Sequence, residues 1–325
     1  MRIGLVLSPF TDTNLKLASQ IGVTDIIYCD MNDFDNNAKR RFLTFDQLIQ
    51  IRSRIERYGM KLSLLETAIP MDRIILSKSG RDQQIEDFKW ALGAMGRAGI
   101  EVLCYDWMPT VQQVVRTSFY AETRGALTSS FDISLFKNAP LTKEGITTEE
   151  QMWDDLEYFL KRVIPAAEAA GVKLAMHPDD PPISPLAGLA RILTSPQSFD
   201  RLFQIAPSEC NGMTFCQGCF SAMGLDVPTQ IRKFSKRILF AHFRDVDLAE
   251  DGVSFHETFQ DNGRTNMFEA IQAYKDIGFN GVIRPDHVPL LATEEGVANG
   301  YSIQGRLYAV GYMRGLMEAV GNITF

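Results

Sequence analysis

Short runs of β-branched and other apolar residues recur along the chain, and between them lie longer segments whose apolar positions repeat at three- and four-residue intervals. The runs fall at about 2–7 (RIGLVL), 24–29 (TDIIYC), 60–66 (MKLSLLE), 100–105 (IEVLCY), 172–177 (VKLAMH), 212–216 (GMTFC), 238–244 (ILFAHFR) and 281–286 (GVIRPD). Nearly continuous apolarity over this length predicts strands buried on both faces, as in a parallel sheet. The intervening segments read as helices. Phe45, Leu48, Ile49, Ile51 and Ile55 line one helical face ahead of Gly59, and Gln83 to Ala98 and Glu149 to Ala170 show the same spacing. Gly22, Gly59, Gly99, Gly171 and Gly278 stand just before runs and Gly212 opens one. Glycine there fits the left-handed position that ends a helix.

Eight such strands with covering helices and no composition break predict an α/β chain folded as a single (β/α)8 barrel over residues 1–325. An open doubly wound sheet is the competing architecture. It would want a GxGxxG after the first strand, whereas Gly93, Gly96 and Gly99 precede a strand and are expected to serve helix packing. The longest insertion, about 106–148, follows the fourth strand; Thr128-Ser129-Ser130 and Pro140 read as loop, and the segment is expected to cover the active face like a lid.

Composition narrows the function. With 45% hydrophobic and 22% charged residues the chain can bury a large core, and its net charge of −7 argues against a nucleic-acid partner. The one dense basic run, Lys39-Arg40-Arg41, reads as a solvated loop. No apolar stretch approaches the ~18 residues of a membrane span, and Met1 leads straight into a strand pattern rather than a secretory leader, so a cytoplasmic protein is expected. Cys29, Cys104, Cys210, Cys216 and Cys219 are too few for a disulfide scaffold, which leaves free thiols or a metal ligand.

Three of the four histidines, His177, His242 and His287, end or follow a predicted strand; the fourth is His256. C-terminal strand ends of a barrel converge, so His177, Cys216, His242 and Asp286, at the ends of strands five to eight, are brought together although widely spaced in sequence. Two imidazoles, a thiolate and a carboxylate make a plausible ligand set for one divalent transition metal. Taken singly, each has an ordinary structural reading. Four consecutive strands ending in ligand types favour the metal. Cys216-Gln217-Gly218-Cys219 also spells CxxC, but without a second pair or a thioredoxin-like context. His256-Glu257 lacks the second histidine of HExxH, and neither a Walker loop nor a GxSxG elbow is present. Asp179, Asp180, Arg244 and Asp245 include candidate partners for the ligands, Arg284 has the planar fork that suits a substrate carboxylate, and Glu66 and Asp106 point to the same face.

Several strings resemble the mannonate dehydratase family, one of the xylose-isomerase-like barrels: Met176-His177-Pro178-Asp179-Asp180-Pro181-Pro182, Gly212-Met213-Thr214-Phe215-Cys216-Gln217-Gly218, His242-Phe243-Arg244-Asp245-Val246, Phe255-His256-Glu257-Thr258 and Ile283-Arg284-Pro285-Asp286-His287. Gly300-Tyr301 with Arg306, and Cys104-Tyr105 with Met108-Pro109, are similar to further family segments. The resemblance implies a Mn2+ site on His177, Cys216, His242 and Asp286, catalytic roles for Arg284, His287 and Tyr301, a homodimer, and conversion of a small sugar acid, D-mannonate, to 2-keto-3-deoxy-D-gluconate and water. Thiolate ligation alone would favour Zn2+ or Fe2+. Arginine and a metal suit the charge of an enediolate, and tyrosine and histidine suit proton movement at C2 and the C3 hydroxyl, in either assignment. Two departures lie where substrate would sit: Val288-Pro289-Leu290 replaces a usual Gly-Arg, and Gln112-Gln113 an expected Asp-Trp. A sugar isomerase or epimerase on the same barrel, and a catalytically silent sugar-acid-binding paralogue, remain as alternatives.

Overall fold

The structure is a computed structural model that describes residues 1–29, 42–66, 69–109, 115–294 and 300–321. The strands in chain order are β1 (Arg2–Val6), β2 (Asp25–Tyr28), β3 (Lys61–Glu66), β4 (Val102–Tyr105), β5 (Ser118–Thr123), β6 (Ala126–Phe131), β7 (Lys173–Met176), β8 (Asn211–Cys216), β9 (Ile238–Phe243), β10 (Val246–Leu248), β11 (Phe255–Glu257) and β12 (Val282–Pro285). Eight of them close a parallel barrel in the order β1-β12-β9-β8-β7-β4-β3-β2, which is the sequence order of the eight apolar runs. The barrel itself therefore has no edge strand.

A main helix follows each barrel strand: Asp12–Gln20, Phe45–Glu56, Arg81–Arg97, Glu149–Ala170, Pro196–Ile205, Val227–Phe234, Met267–Asp276 and Ile303–Ala319. Their starts are locally encoded. Thr44 accepts from the Gln47 backbone while the Gln47 side chain accepts from the Thr44 N–H, a reciprocal cap that satisfies two orphan donors. The 149–170 helix ends on Gly171 at φ +66°, a conformation costly for any residue with a Cβ. Gly212 departs from the expected role: it lies inside β8, where a Cβ would meet Arg237 O at 2.7 Å and the Leu239 side chain at 2.5 Å.

Two apolar layers result. Val6, Ile27, Leu64, Cys104, Ala175, Phe240 and Val282 fill the barrel, while the larger core lies between barrel and helices and includes Leu48, Ile51, Phe88, Phe159, Phe215 and Met313. Gly96 lets the 81–97 and 149–170 helices touch, since a Cβ there would stand 2.1 Å from Ala170 O.

The 106–148 segment is not the loop its Thr128-Ser129-Ser130 suggested. Those residues belong to β6, which pairs with β5 around Arg124-Gly125, both at positive φ, as a two-residue hairpin turn requires. β6 then pairs with β11, and β11 with β10, giving an antiparallel sheet β10-β11-β6-β5 at the C-terminal end of the barrel. Thr128 and Ser129 are buried polar residues, and the Ser129 hydroxyl accepts from Arg116 Nε at 3.1 Å. Pro140 does lie outside regular structure, and Lys39-Arg40-Arg41 lies outside the described residues. Among the described residues, no helix is long and apolar enough to cross a membrane.

Replacing Gly96 with Ala should lower stability by about 1–3 kcal/mol through overpacking, despite alanine's better helix propensity. Urea denaturation checks this: an unchanged or raised midpoint would contradict the close helix contact.

Candidate active site

Strand register places the polar residues at one level. Glu66 on β3 pairs with Cys104 on β4, Cys216 on β8 with His242 on β9, and His242 in turn with Arg284 on β12. Below this level the barrel is apolar, so their polar groups turn towards the C-terminal end. There they meet a cavity of about 200 Å³ whose wall includes Glu66, Cys104, Asp106, His177, Asp180, His242, Arg284, Asp286, His287, Tyr301 and Cys29.

Ligand atoms of His177, Cys216 and His242 all lie within 4.8 Å of one another, and all three residues are buried. His177 Nδ1 is 2.6 Å from Pro178 O; a carbonyl only accepts, so this nitrogen carries the hydrogen and Nε2 is left as an acceptor. His242 Nε2 lies 3.2 Å from the Glu66 carboxylate, which turns Nδ1 towards His177 Nε2 at 3.3 Å and Asp286 Oδ2 at 3.4 Å. Two ring nitrogens and a carboxylate oxygen therefore converge beside Cys216. Burial and Arg284 oppose charge on His242, but Asp286 and Glu66 outweigh them and push its pKa up to about 10. Burial likewise opposes a thiolate at Cys216, yet hydrogen bonding from Cys219, the Arg244 guanidinium and both imidazoles hold its thiol well below the usual range. This corner is built for a positive charge.

Glu66, Cys104 and His242 form a second group with metal-ligand spacing. Its chemistry is poorer: burial and the Glu66 charge hold the Cys104 thiol well above its usual pKa, and Glu66 already accepts from Arg284 Nη2 at 2.7 Å.

The other expected residues fall into place unevenly. Asp286 takes Arg244 Nε at 2.7 Å and Arg284 Nη2 at 2.9 Å besides facing His242. Arg284 is 2% exposed, and with Glu66, Asp286 and the Pro285 carbonyl on its fork, only Nε is without a partner. His287 packs its ring edge-on to Tyr301, with centroids 5.6 Å apart, and Tyr301 is 37% exposed. Asp245 organises the neighbouring loop instead, accepting from Val246 N, Thr265 N and the Thr265 hydroxyl. His256 lies on β11 opposite Ser130, and Cys219 accepts from Arg244 Nη2 at 3.3 Å. Val288 bridges to Gly300 and Leu290 to Leu127, so the first departure joins the insertion to the Tyr301 segment; Gln112-Gln113 lie outside the described residues.

Sequence reasoning missed a buried network behind His287. Glu257 Oε1 accepts from His287 Nδ1 at 2.5 Å, Arg116 Nη2 at 2.6 Å and Arg244 Nη1 at 3.3 Å. Asp180 takes both Nη atoms of Arg116, at 2.7 and 3.0 Å, and Arg244 Nη2 at 2.5 Å. Glu257 stood in a family-like string and was readable as a candidate; nothing local marked Arg116.

Comparison with known proteins identifies the family. The family model for D-mannonate dehydratase (UxuA) matches residues 10–148 and 136–325. A mannonate dehydratase of Thermotoga maritima is 33% identical over 313 residues, 85% of this chain and 86% of that one. One from Shouchella clausii is 32% identical over 308 residues, 84% and 85% of the two chains. The crystal structure of mannonate dehydratase from Streptococcus suis serotype 2 superposes with a TM-score of 0.89 at 28% identity, over 100% of this chain and 97% of that one. A D-psicose 3-epimerase structure from Clostridium cellulolyticum, covering 98% and 99% of the chains at 11% identity and a TM-score of 0.66, shares the fold alone. The chain thus belongs to the mannonate dehydratase family and is a hydro-lyase built on a xylose-isomerase-like barrel.

Proposed function

We propose that the chain removes water from D-mannonate to give 2-keto-3-deoxy-D-gluconate, using one divalent ion held by His177, Cys216, His242 and Asp286, with Mn2+ as the ion and Fe2+ or Zn2+ as substitutes. The observation that carries the reading is the convergence of metal-ligand atom types, His177 Nε2 and His242 Nδ1 at 3.3 Å with Asp286 Oδ2 3.4 Å from the latter, beside an acidified Cys216. Two imidazoles, a thiolate and a carboxylate suit a divalent transition ion, whose binding would release the proton held among them. Glu66, 3.2 Å from His242 Nε2, stands where the carboxylate partner of a ligating imidazole belongs. When bound, the ion supplies Lewis-acid stabilisation for charge developing on the substrate's oxygens.

The protein's own residues divide the remaining work. Arg284, its fork engaged by Glu66 and Asp286, contributes positive charge at the cavity wall rather than a free two-toothed grip. His287 holds its Nδ1–H on Glu257, so Nε2 is the atom that takes the C2 proton, and the carboxylate behind it stabilises the imidazolium that forms. Tyr301, beside it at the cavity, gives its O–H proton to the C3 hydroxyl, which leaves as water when the C3–O bond breaks. The resulting enol returns its O–H proton to Tyr301 and takes the imidazolium proton at C3, giving the 2-keto-3-deoxy acid and restoring both residues. In this reading the chain acts as one barrel domain over 1–325, with 106–148 covering its active end.

Metal-loaded protein offered a panel of aldonates and aldoses should form 2-keto-3-deoxy acid from D-mannonate; turnover of aldoses with none of any aldonate would sink the proposal. Cys216→Ala should strip the ion and abolish activity. Elemental analysis is the check, and an unchanged metal content refutes the ligand set.

A further inference from the structure

The insertion contributes more than a cover. Arg116, just ahead of β5, is 2% exposed at its side chain and does not line the cavity, yet it reaches two carboxylates that stand behind reactive groups. One is Glu257, the acceptor for His287 Nδ1; the other is Asp180, which shares Arg244 with Asp286. We propose that Arg116 is a positioning residue for the dehydration, fixing the direction and tautomer of His287 through Glu257, and freeing Arg244 to hold Asp286.

The charge balance shows why. Asp180, Glu257 and Asp286 are all buried, and two of the guanidinium groups that serve them are Arg116 and Arg244. Removing Arg116 leaves Asp180 and Glu257 with Arg244 as their common guanidinium partner, which draws Arg244 Nε away from Asp286. Glu257 then loses the donor that points its Oε1 at His287. Lysine keeps the charge but cannot serve both carboxylates, because the bidentate grip on Asp180 uses both Nη atoms while Nη2 also reaches Glu257. His287 Nδ1 must be the donor to Glu257, since burial alone would raise that carboxyl but His287, Arg116 and Arg244 hold it well below the usual carboxylate range.

The inference rests on the dehydratase reading for its kinetic effect but not for its structural one, so two readouts test it separately. With only four histidines, nitrogen-15 histidine NMR of the full chain should show a downfield Nδ1 proton on His287, assigned by its loss in His287→Gln. This signal should disappear or shift in Arg116→Met and in Glu257→Gln, and an unchanged signal in Arg116→Met overturns the proposal whether or not D-mannonate is the substrate. In turnover, Arg116→Met should lower kcat by about 10–100-fold with KM little changed. Arg116→Lys should be intermediate, and millimolar guanidinium should partly rescue Arg116→Ala. The Arg116→Met, Glu257→Gln double variant should lose less than the product of the two single losses. Independent multiplicative losses, a raised KM at unchanged kcat, or a loss accounted for by the unfolded fraction at assay temperature would each overturn it.

Discussion

The active end of this barrel depends on mutual neutralisation of buried charge. Asp180, Glu257 and Asp286 are carboxylates almost without solvent contact, interlocked with the equally buried Arg116, Arg244 and Arg284. A lone charge in such surroundings costs several kcal/mol, so none of these side chains is independently placed. They come from β11, β12, the residues that follow β7, β9 and β12, and the insertion after β4. The site is consequently a property of the closed barrel together with its added sheet. The apolar filling beneath, from Val6 round to Val282, supplies the dry floor that keeps these ion pairs strong.

Much of this was legible in the chain. The eight apolar runs coincide with the eight barrel strands because a strand buried on both faces writes its hydrophobicity continuously into sequence. The His177, Cys216 and His242 cluster was readable because a barrel converts strand-end position into proximity. The rest was hidden for identifiable reasons. β6 carries Thr128-Ser129-Ser130, whose polarity signals a loop, and its strand character comes from the tight hairpin with β5 and from pairing with β11, more than a hundred residues away. Arg116 looked like any surface arginine, since its two partners, Asp180 and Glu257, are remote in sequence. Arg284 was foreseen as a carboxylate fork, but register places Glu66 and Asp286 on that fork first.

The wider set of structural neighbours shows how little of this chemistry belongs to the fold. Epimerase structures share the barrel at 11–13% identity and TM-scores of 0.62–0.66, a likeness of fold alone. In the present chain the hairpin β5–β6 and the pairing of its second strand with β11 carry Glu257 into register beside the insertion.

Barrel closure also has a consequence in time. β1 is paired by Gly4, Leu5 and Val6 to β2, its neighbour in sequence, but its other edge is met through Arg2 and Ile3 by Val282 and Ile283 of β12. On a ribosome that second edge stays open until β12 has been made. Its exposed N–H and C=O groups are then a template for strand addition from another molecule. Arg2, partly exposed and paired with Asp25, places a charged side chain at the start of that waiting edge, the kind of residue that discourages strand addition.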